Sequence, residues 1–261
     1  MKTLQDIIEY KKKEILGEKS LFTLSEINDL ILKNNPPIGF LNSLITNKNK
    51  FGIISEVKKA SPSKGIIRKD FDHIKIAQSY KKSGATCLSV LTDSNFFQGK
   101  KSYIKDIKMK VDLPILRKDF IIDSWQIKQS RMIDADCILL ILSCLSFNQA
   151  KEYEDEAIDL GMDVIIETHT EKEIELANQL KSKMVGINNR NLKTMDVNIQ
   201  NSIDLIKYLD HSKLAISESG ISSHDDITFL DENGFKNFLI GEAFMRQKDI
   251  NHIFKKIIIN N

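Results

Sequence analysis

With 261 residues, 41% of them hydrophobic and 28% charged, and a formal net charge of +2, the chain can bury a sizeable core. That charge balance excludes a whole-molecule attraction to nucleic acid or to a membrane surface. The best apolar run, residues 137–142, is too short to span a bilayer, and residues 1–20 alternate charge and apolar side chains without the hydrophobic region of a signal peptide.

Leu4, Ile7, Ile8 and Ile15 fall near helical spacing among lysines and glutamates, which predicts a first amphipathic helix. A second is marked at its start by Thr23 and Glu26, a capping box, with Phe22 and Ile27 spaced as a hydrophobic staple. Asn34, Asn35, Pro36 and Pro37 end it, because successive prolines cannot continue a helix. The lysines at 11–13 and 255–256 read as solvated helix faces, and Trp125 as packing the third helix.

From Phe51 onward, apolar runs at residues 53–57, 87–91, 114–116, 137–142, 163–166, 184–187, 213–216 and 237–240 alternate with charged segments of helical period, such as 74–82, 149–160, 171–180 and 202–209. Runs that are continuously apolar are buried on both faces, so the sheet is parallel and covered by helices. Eight such units favour a (β/α)8 TIM barrel, one domain over residues 1–261 with 1–50 as an N-terminal helical extension. A doubly wound Rossmann-like sheet is the runner-up, but no GxGxxG follows any strand. Cys87, Cys137 and Cys144 lie in or beside these runs without CxxC or Cys/His ligand spacing, and are expected to be reduced core residues of a cytoplasmic protein.

In a barrel, catalytic groups belong where strands end and loops begin. The first strand runs into Glu56 and Lys58, which point to one side because they are two apart, and then into a turn with Ser61, Pro62, Ser63 and Gly65 that suits a polar ligand. Taken alone, that acid and base read first as an ion pair at a strand end. Other strands lead to Thr92 and Phe96-Phe97-Gln98-Gly99, to Arg117-Lys118-Asp119-Phe120, to Glu167, to Asn188-Asn189-Arg190, to Glu218-Ser219-Gly220 and to Gly241-Glu242. Seven of eight strands ending in this mixture of acids and bases points to one site at a shared mouth. Gly220 and Gly241, followed by a short Ala243-Phe244-Met245 helix, fit a barrel phosphate site, although each glycine also reads as a tight turn.

The segments SEVKKASPSKG, SVLTDSNFFQG, PILRKDFII, IIETHT, GINNRNL, ISESGI and LIGEAFM, in this order and spacing, resemble the indole-3-glycerol phosphate synthase family over nearly the whole chain. One such motif would mean little; seven in order are specific. The resemblance implies conversion of 1-(2-carboxyphenylamino)-1-deoxyribulose 5-phosphate to indole-3-glycerol phosphate, with loss of carbon dioxide and water, in tryptophan biosynthesis. With its last residue at Asn261, the chain resembles the single-function form of this barrel and not its fusion to an isomerase barrel.

The resemblance also implies roles. Lys118 is the acid for the ketone, expected among cations and apolar walls that lower its pKa toward neutrality. Glu167 is the base and Lys58 the acid of the dehydration, Glu56 orients Lys58 and holds the anilino nitrogen, and Asn188 bonds the developing hydroxyl. Arg190 binds at the anthranilate carboxylate, whose geometry its guanidinium fork matches. Phe97 and Phe120 sandwich the aromatic ring, each reading equally as barrel-rim core. Ser219, Gly220, Gly241 and the Glu242 N–H hold the phosphate with Lys58, the Glu242 side chain pointing away; Ser61 and Glu218 complete the substrate contacts. The helices before Phe51 roof the mouth.

No metal is expected, since the histidines, His169 included, lack Cys or carboxylate partners at ligand spacing, and no cofactor, since regained aromaticity drives the decarboxylation. The expected partner is the small-molecule substrate, with no nucleic acid and no membrane, in a monomer, an oligomer being left open. Two other readings stay distinct: a sugar-phosphate isomerase, against which the lysine acid and aromatic wall argue, and a non-catalytic anion-binding barrel, which would need neither acid nor base.

Overall fold

The computed structural model describes residues 3–192 and 194–260; Met1 and Lys2 at the start of the N-terminal stretch read above, Lys193 and Asn261 lie outside them. Helix starts are set by local chemistry. Thr3, Thr23, Ser146, Thr170 and Ser223 each accept a backbone N–H of the helix that follows, and the third helical residue returns the bond. The first two of these helices are α1 (Leu4–Lys19) and α2 (Leu24–Leu32), and a third, α3 (Phe40–Ile45), follows the prolines.

The strands are β1 (Gly52–Val57), β2 (Cys87–Leu91), β3 (Ile115–Lys118), β4 (Cys137–Ile141), β5 (Asp163–Thr168), β6 (Met184–Asn188), β7 (Leu214–Glu218) and β8 (Asn237–Ile240). Each pairs in parallel with the next, and β1 closes the ring on β8, from Gly52 opposite Asn237 to Ser55 opposite Ile240. The outer ring contains α4 (His73–Ser83), α5 (Ser94–Phe97), α6 (Ser102–Lys108), α7 (Trp125–Met132), α8 (Phe147–Asp159) and α9 (Glu171–Asn178), then α10 (Gln200–Ile206), α11 (His224–Glu232), α12 (Glu242–Met245) and α13 (Ile250–Ile258). The TIM barrel expected from the apolar runs is therefore present. Among the described residues no helix is long and apolar enough to cross a membrane.

Period-2 alternation splits the strand residues between two cores. Ile53, Leu88, Ile115, Ile138, Val185 and Phe238 face outward to the helices. Ile54, Cys87, Leu116, Leu139, Ile165, Met184, Ile216 and Leu239 fill the barrel. Phe40 and Leu44 of α3 join this inner core and plug the N-terminal end of the barrel, where the Ile38 and Leu41 N–H groups donate to Asp136 and Asp163 at the strand starts. Phe40→Ala is expected to cost about 3–5 kcal/mol, because a fully buried ring leaves a cavity in a closed barrel. Urea denaturation should read that loss, with activity per folded molecule kept because α3 lies at the end away from the mouth.

The roof of the mouth is α1, while α2 packs along α7 on the barrel's flank. Lys11, expected on a solvated face, is 1% exposed and sits among Glu14, Asp93 and Asp119 at 2.5, 2.8 and 2.9 Å. The ammonium is drawn inward because its partners come from loops that the chain reaches only after β2 and β3. Its neighbour Lys12 stays exposed, as the amphipathic pattern predicted.

Candidate active site

Alternation also decides who faces the mouth. Glu56, Lys118, Glu167, Asn188 and Glu218 occupy inward positions at the ends of five strands, and all five line a single cavity of about 800 Å³. Lys58, Ser61, Phe97, Phe120, Arg190, Ser219, Gly220, Gly241 and Glu242 line the same cavity, so the structure brings together every residue to which the resemblance assigns a role. Arg117 is the exception among the strand-end charges. One residue before Lys118, it points away from the barrel, and its guanidinium bonds to Thr92, Asp119, Gln126, Gln129 and Ser130.

Lys118 Nζ donates to Glu167 Oε2 at 2.8 Å and lies 3.3 Å from Glu218 Oε2. Burial alone would lower its pKa, but Glu167, Glu218 and Glu56 outweigh burial and raise it. This corrects the expectation of a lysine among cations with a lowered pKa: the groups facing it across the barrel are carboxylates. Burial pushes the Glu167 carboxyl up, yet Lys118 and His169 hold it down at about 2. Glu218 is left with the weaker share of the same ammonium. Its burial, with the Glu167 charge nearby, lifts it to about 8, and its Oε1 has no hydrogen-bond partner among the described residues.

Two glycines make room for these acids. A Cβ on Gly186 would strike the Glu218 carboxylate, and one on Gly241 would strike Glu56. Glu56 Oε1 in turn holds Lys58 Nζ at 2.5 Å, bearing out the pair read from their spacing. The Asn188 Oδ1 accepts the Arg190 N–H, which turns its amide nitrogen toward Glu167. Ser219 and Gly220 both have left-handed backbones, at φ 66° and 87°, and the Ser219 carbonyl is taken up by Asn189. The Glu242 carboxylate, expected to point away, is fixed by Arg246 at 2.7 Å with Arg190 3.9 Å off, so it meets guanidinium groups at the cavity edge. Phe97 and Phe120 lie with ring centroids 6.3 Å apart and planes tilted by 37°, close enough to touch each other. They form one continuous apolar wall and leave no slot for a ring between them.

Three groups were given no role from the sequence. His169, set aside with the other histidines, is buried with Nε2 3.4 Å from Glu167 Oε1 and Nδ1 3.2 Å from Ser143 Oγ. Burial would lower its pKa, but Glu173, Glu167 and Glu218 raise it. Its place two residues past the strand-end acid Glu167 was the only available signal. Asn189, pointing outward, ties Ser219 to Ser202 and Ser217 behind the barrel. The Lys11 cluster had no local signal at all. Among the described residues, no group of three His, Cys, Asp or Glu side chains could hold a metal.

The raised Glu218 pKa fixes a sign. The folded state binds a proton that the unfolded state, titrating near 4.5, has lost, so Glu218 costs stability progressively as pH rises from about 4.5 to about 8. Glu218→Gln should therefore change the thermal midpoint little at pH 5 and raise it relative to the parent at pH 9. A difference that is constant with pH would show Glu218 ionised throughout.

A family model described as indole-3-glycerol phosphate synthase matches residues 4–257. The protein of that name from Polynucleobacter asymbioticus is 45% identical over 253 residues, covering 94% of this chain and 95% of its own. Its namesake from Azospirillum brasilense is 43% identical over 249 residues, covering 95% of each chain. Among solved structures, a 3-hexulose-6-phosphate synthase superposes with a TM-score of 0.66 at 10% identity, over 80% of this chain and 98% of that one. Thiamine phosphate pyrophosphorylase from Pyrococcus furiosus gives 0.59 at 13%, over 80% and 94%. At such identities the likeness shows the fold alone.

Proposed function

Since the chain belongs to the indole-3-glycerol phosphate synthase family, we propose that the groups gathered at its mouth divide that family's reaction among them. The protein is a carboxy-lyase of tryptophan biosynthesis: it closes the indole ring of 1-(2-carboxyphenylamino)-1-deoxyribulose 5-phosphate, releasing carbon dioxide and water. Ser219, Gly220, Gly241 and the Glu242 N–H hold the phosphate, with Lys58 beside them and Ser61 at the rim. The aromatic ring lies against the Phe97–Phe120 wall, and Arg190 takes its carboxylate.

In ring closure the aromatic carbon bearing the carboxylate attacks the ketone, and Lys118 stabilises the growing alkoxide and then protonates it. A raised lysine pKa is no obstacle. An alkoxide is nearly as basic as hydroxide and far more basic than an amine, so the transfer runs downhill. Asn188 steadies the new hydroxyl. Carbon dioxide then leaves with its electron pair returning to the iminium; Lys58, oriented by Glu56, protonates the departing hydroxyl, and Glu167 removes the carbon-bound proton that restores aromaticity. Glu167 is a weak base while Lys118 is charged. Once Lys118 has given up its proton, burial raises the Glu167 carboxylate, so the acid step arms the base.

The observation that carries this reading is the Lys118 ammonium held at 2.8 Å from Glu167 and 3.3 Å from Glu218 within a cavity wide enough for the substrate. Supplying the carboxyphenylamino sugar phosphate should yield indole fluorescence and carbon dioxide in equal amounts. Neither product, or an isomerised sugar phosphate in their place, would sink it. A single domain over residues 1–261, and a cytoplasmic monomer without nucleic-acid partners, are proposed with it. They are supported by the closure of β1 on β8, three free cysteines and the near-balanced charge.

A further inference from the structure

Lys11 is the one amine of α1 that is withdrawn from solvent, and the groups it meets belong to two different strand-end loops. Asp93, after β2, accepts the Phe96 and Phe97 N–H groups through Oδ1 and pairs with Lys11 through Oδ2. Asp119, after β3, accepts the Phe120 N–H and pairs with Lys11 through Oδ1, while Thr92 and Arg117 hold its Oδ2. Both side chains are fully buried. One ammonium thus joins the segment that fixes the Phe97 backbone to the segment that fixes the Phe120 backbone, and joins both to α1, whose Leu4 and Ile7 line the cavity. Tyr10, the preceding residue, meets Phe96 edge-on with centroids 5.5 Å apart.

We propose that Lys11 is a positioning residue for the aromatic half of the substrate, setting the Phe97–Phe120 wall and the α1 roof over the cavity while taking no part in the chemistry. The inference rests on the reading that this wall receives the ring. Stability alone is a poor reason for such a lysine, because desolvating an ammonium and two carboxylates offsets much of their attraction, and packed apolar side chains would serve as well. An ion cluster does fix geometry: Asp93 and Asp119 share the Lys11 ammonium while each also caps backbone N–H groups of its own loop, so the loops have one arrangement in which the charges are met. The helix has other anchors further along. Glu18 bonds Lys101 and Gln129, Lys19 bonds Asp123, and Ile15 is in the core. Removing the Lys11 charge therefore frees the mouth end of α1 without detaching the helix.

Lys11→Met should raise KM for the carboxyphenylamino sugar phosphate about tenfold or more, since misplacing a binding wall by an ångström is enough for that. The inhibition constant of inorganic phosphate, whose proposed site is on β7 and β8, should stay within about twofold. Because the variant strands two buried carboxylates, Lys11→Met/Asp93→Asn serves as its control: asparagine keeps the cap on α5 and removes a charge. Its thermal midpoint should recover toward the parent's while KM stays raised. A parental KM in Lys11→Met, or recovery of KM together with the midpoint in the double variant, would overturn the proposal. Phe97→Ala/Phe120→Ala keeping the parental KM would overturn the ring-wall reading itself, and this inference with it.

Discussion

Lys118→Met is expected to lower kcat by about 10³-fold or more, while inorganic phosphate still binds at β7 and β8. The loss exceeds that of a simple proton donor for a reason visible in the geometry. Without the ammonium, the buried Glu167 carboxyl loses the charge that chiefly holds it ionised and takes up a proton more readily. The base is then disabled along with the acid. Single-turnover fluorescence separates this from a binding defect. A variant that lost phosphate affinity but kept kcat would make Lys118 a binding residue and end its assignment as the acid.

Glu167→Gln is expected to lower the rate of indole formation by about 10²–10⁴-fold with nearly unchanged substrate affinity, because glutamine keeps an acceptor for Lys118 and loses the basic site. In the proposed mechanism Glu167 acts after carbon dioxide has left. In a single turnover, carbon dioxide release should consequently run ahead of indole appearance. Equal slowing of both would move Glu167 to a step at or before decarboxylation, and normal turnover would remove it from the mechanism.

The barrel was legible because its strands carry no ambiguity of face: an apolar run such as Cys137–Ile141 is buried on both sides and reads the same in any register. The inward acids and bases were legible for the opposite reason. Alternation from Ile54 carries directly to Glu56 and Lys58, and chain order carries the rest to the same rim. What the sequence did not contain was the partner of each charge. Lys118 stands between Arg117 and Asp119, yet Arg117 turns to the other face and Asp119 is taken up by Lys11 and Arg117, and its true neighbours Glu167 and Glu218 arrive on β5 and β7. Local reading therefore assigned it the wrong sign of shift. Lys11 failed in the same way, its charged neighbours suggesting a wet face. The α3 helix was missed because it has no capping side chain at Gly39 and is held by Phe40 and Leu44 inside the barrel, a purely tertiary reason to be helical.

With the roles proposed for Lys118 and Glu167, the hydrogen bond between them lets one of the reaction's protons circulate inside the protein. In the proposed mechanism, ring closure takes a proton from Lys118, dehydration takes one from Lys58, and Glu167 collects one from the substrate carbon. That last proton then sits across a 2.8 Å bond from an amine that has just lost its own, and can return without entering water. Only one proton per turnover must come from solvent, through Lys58, matching the one consumed when a carboxylate leaves as neutral carbon dioxide. Deuterium placed on the reacting substrate carbon would enter the Lys118 ammonium, and a fraction of it would reach the ketone oxygen of the next molecule processed.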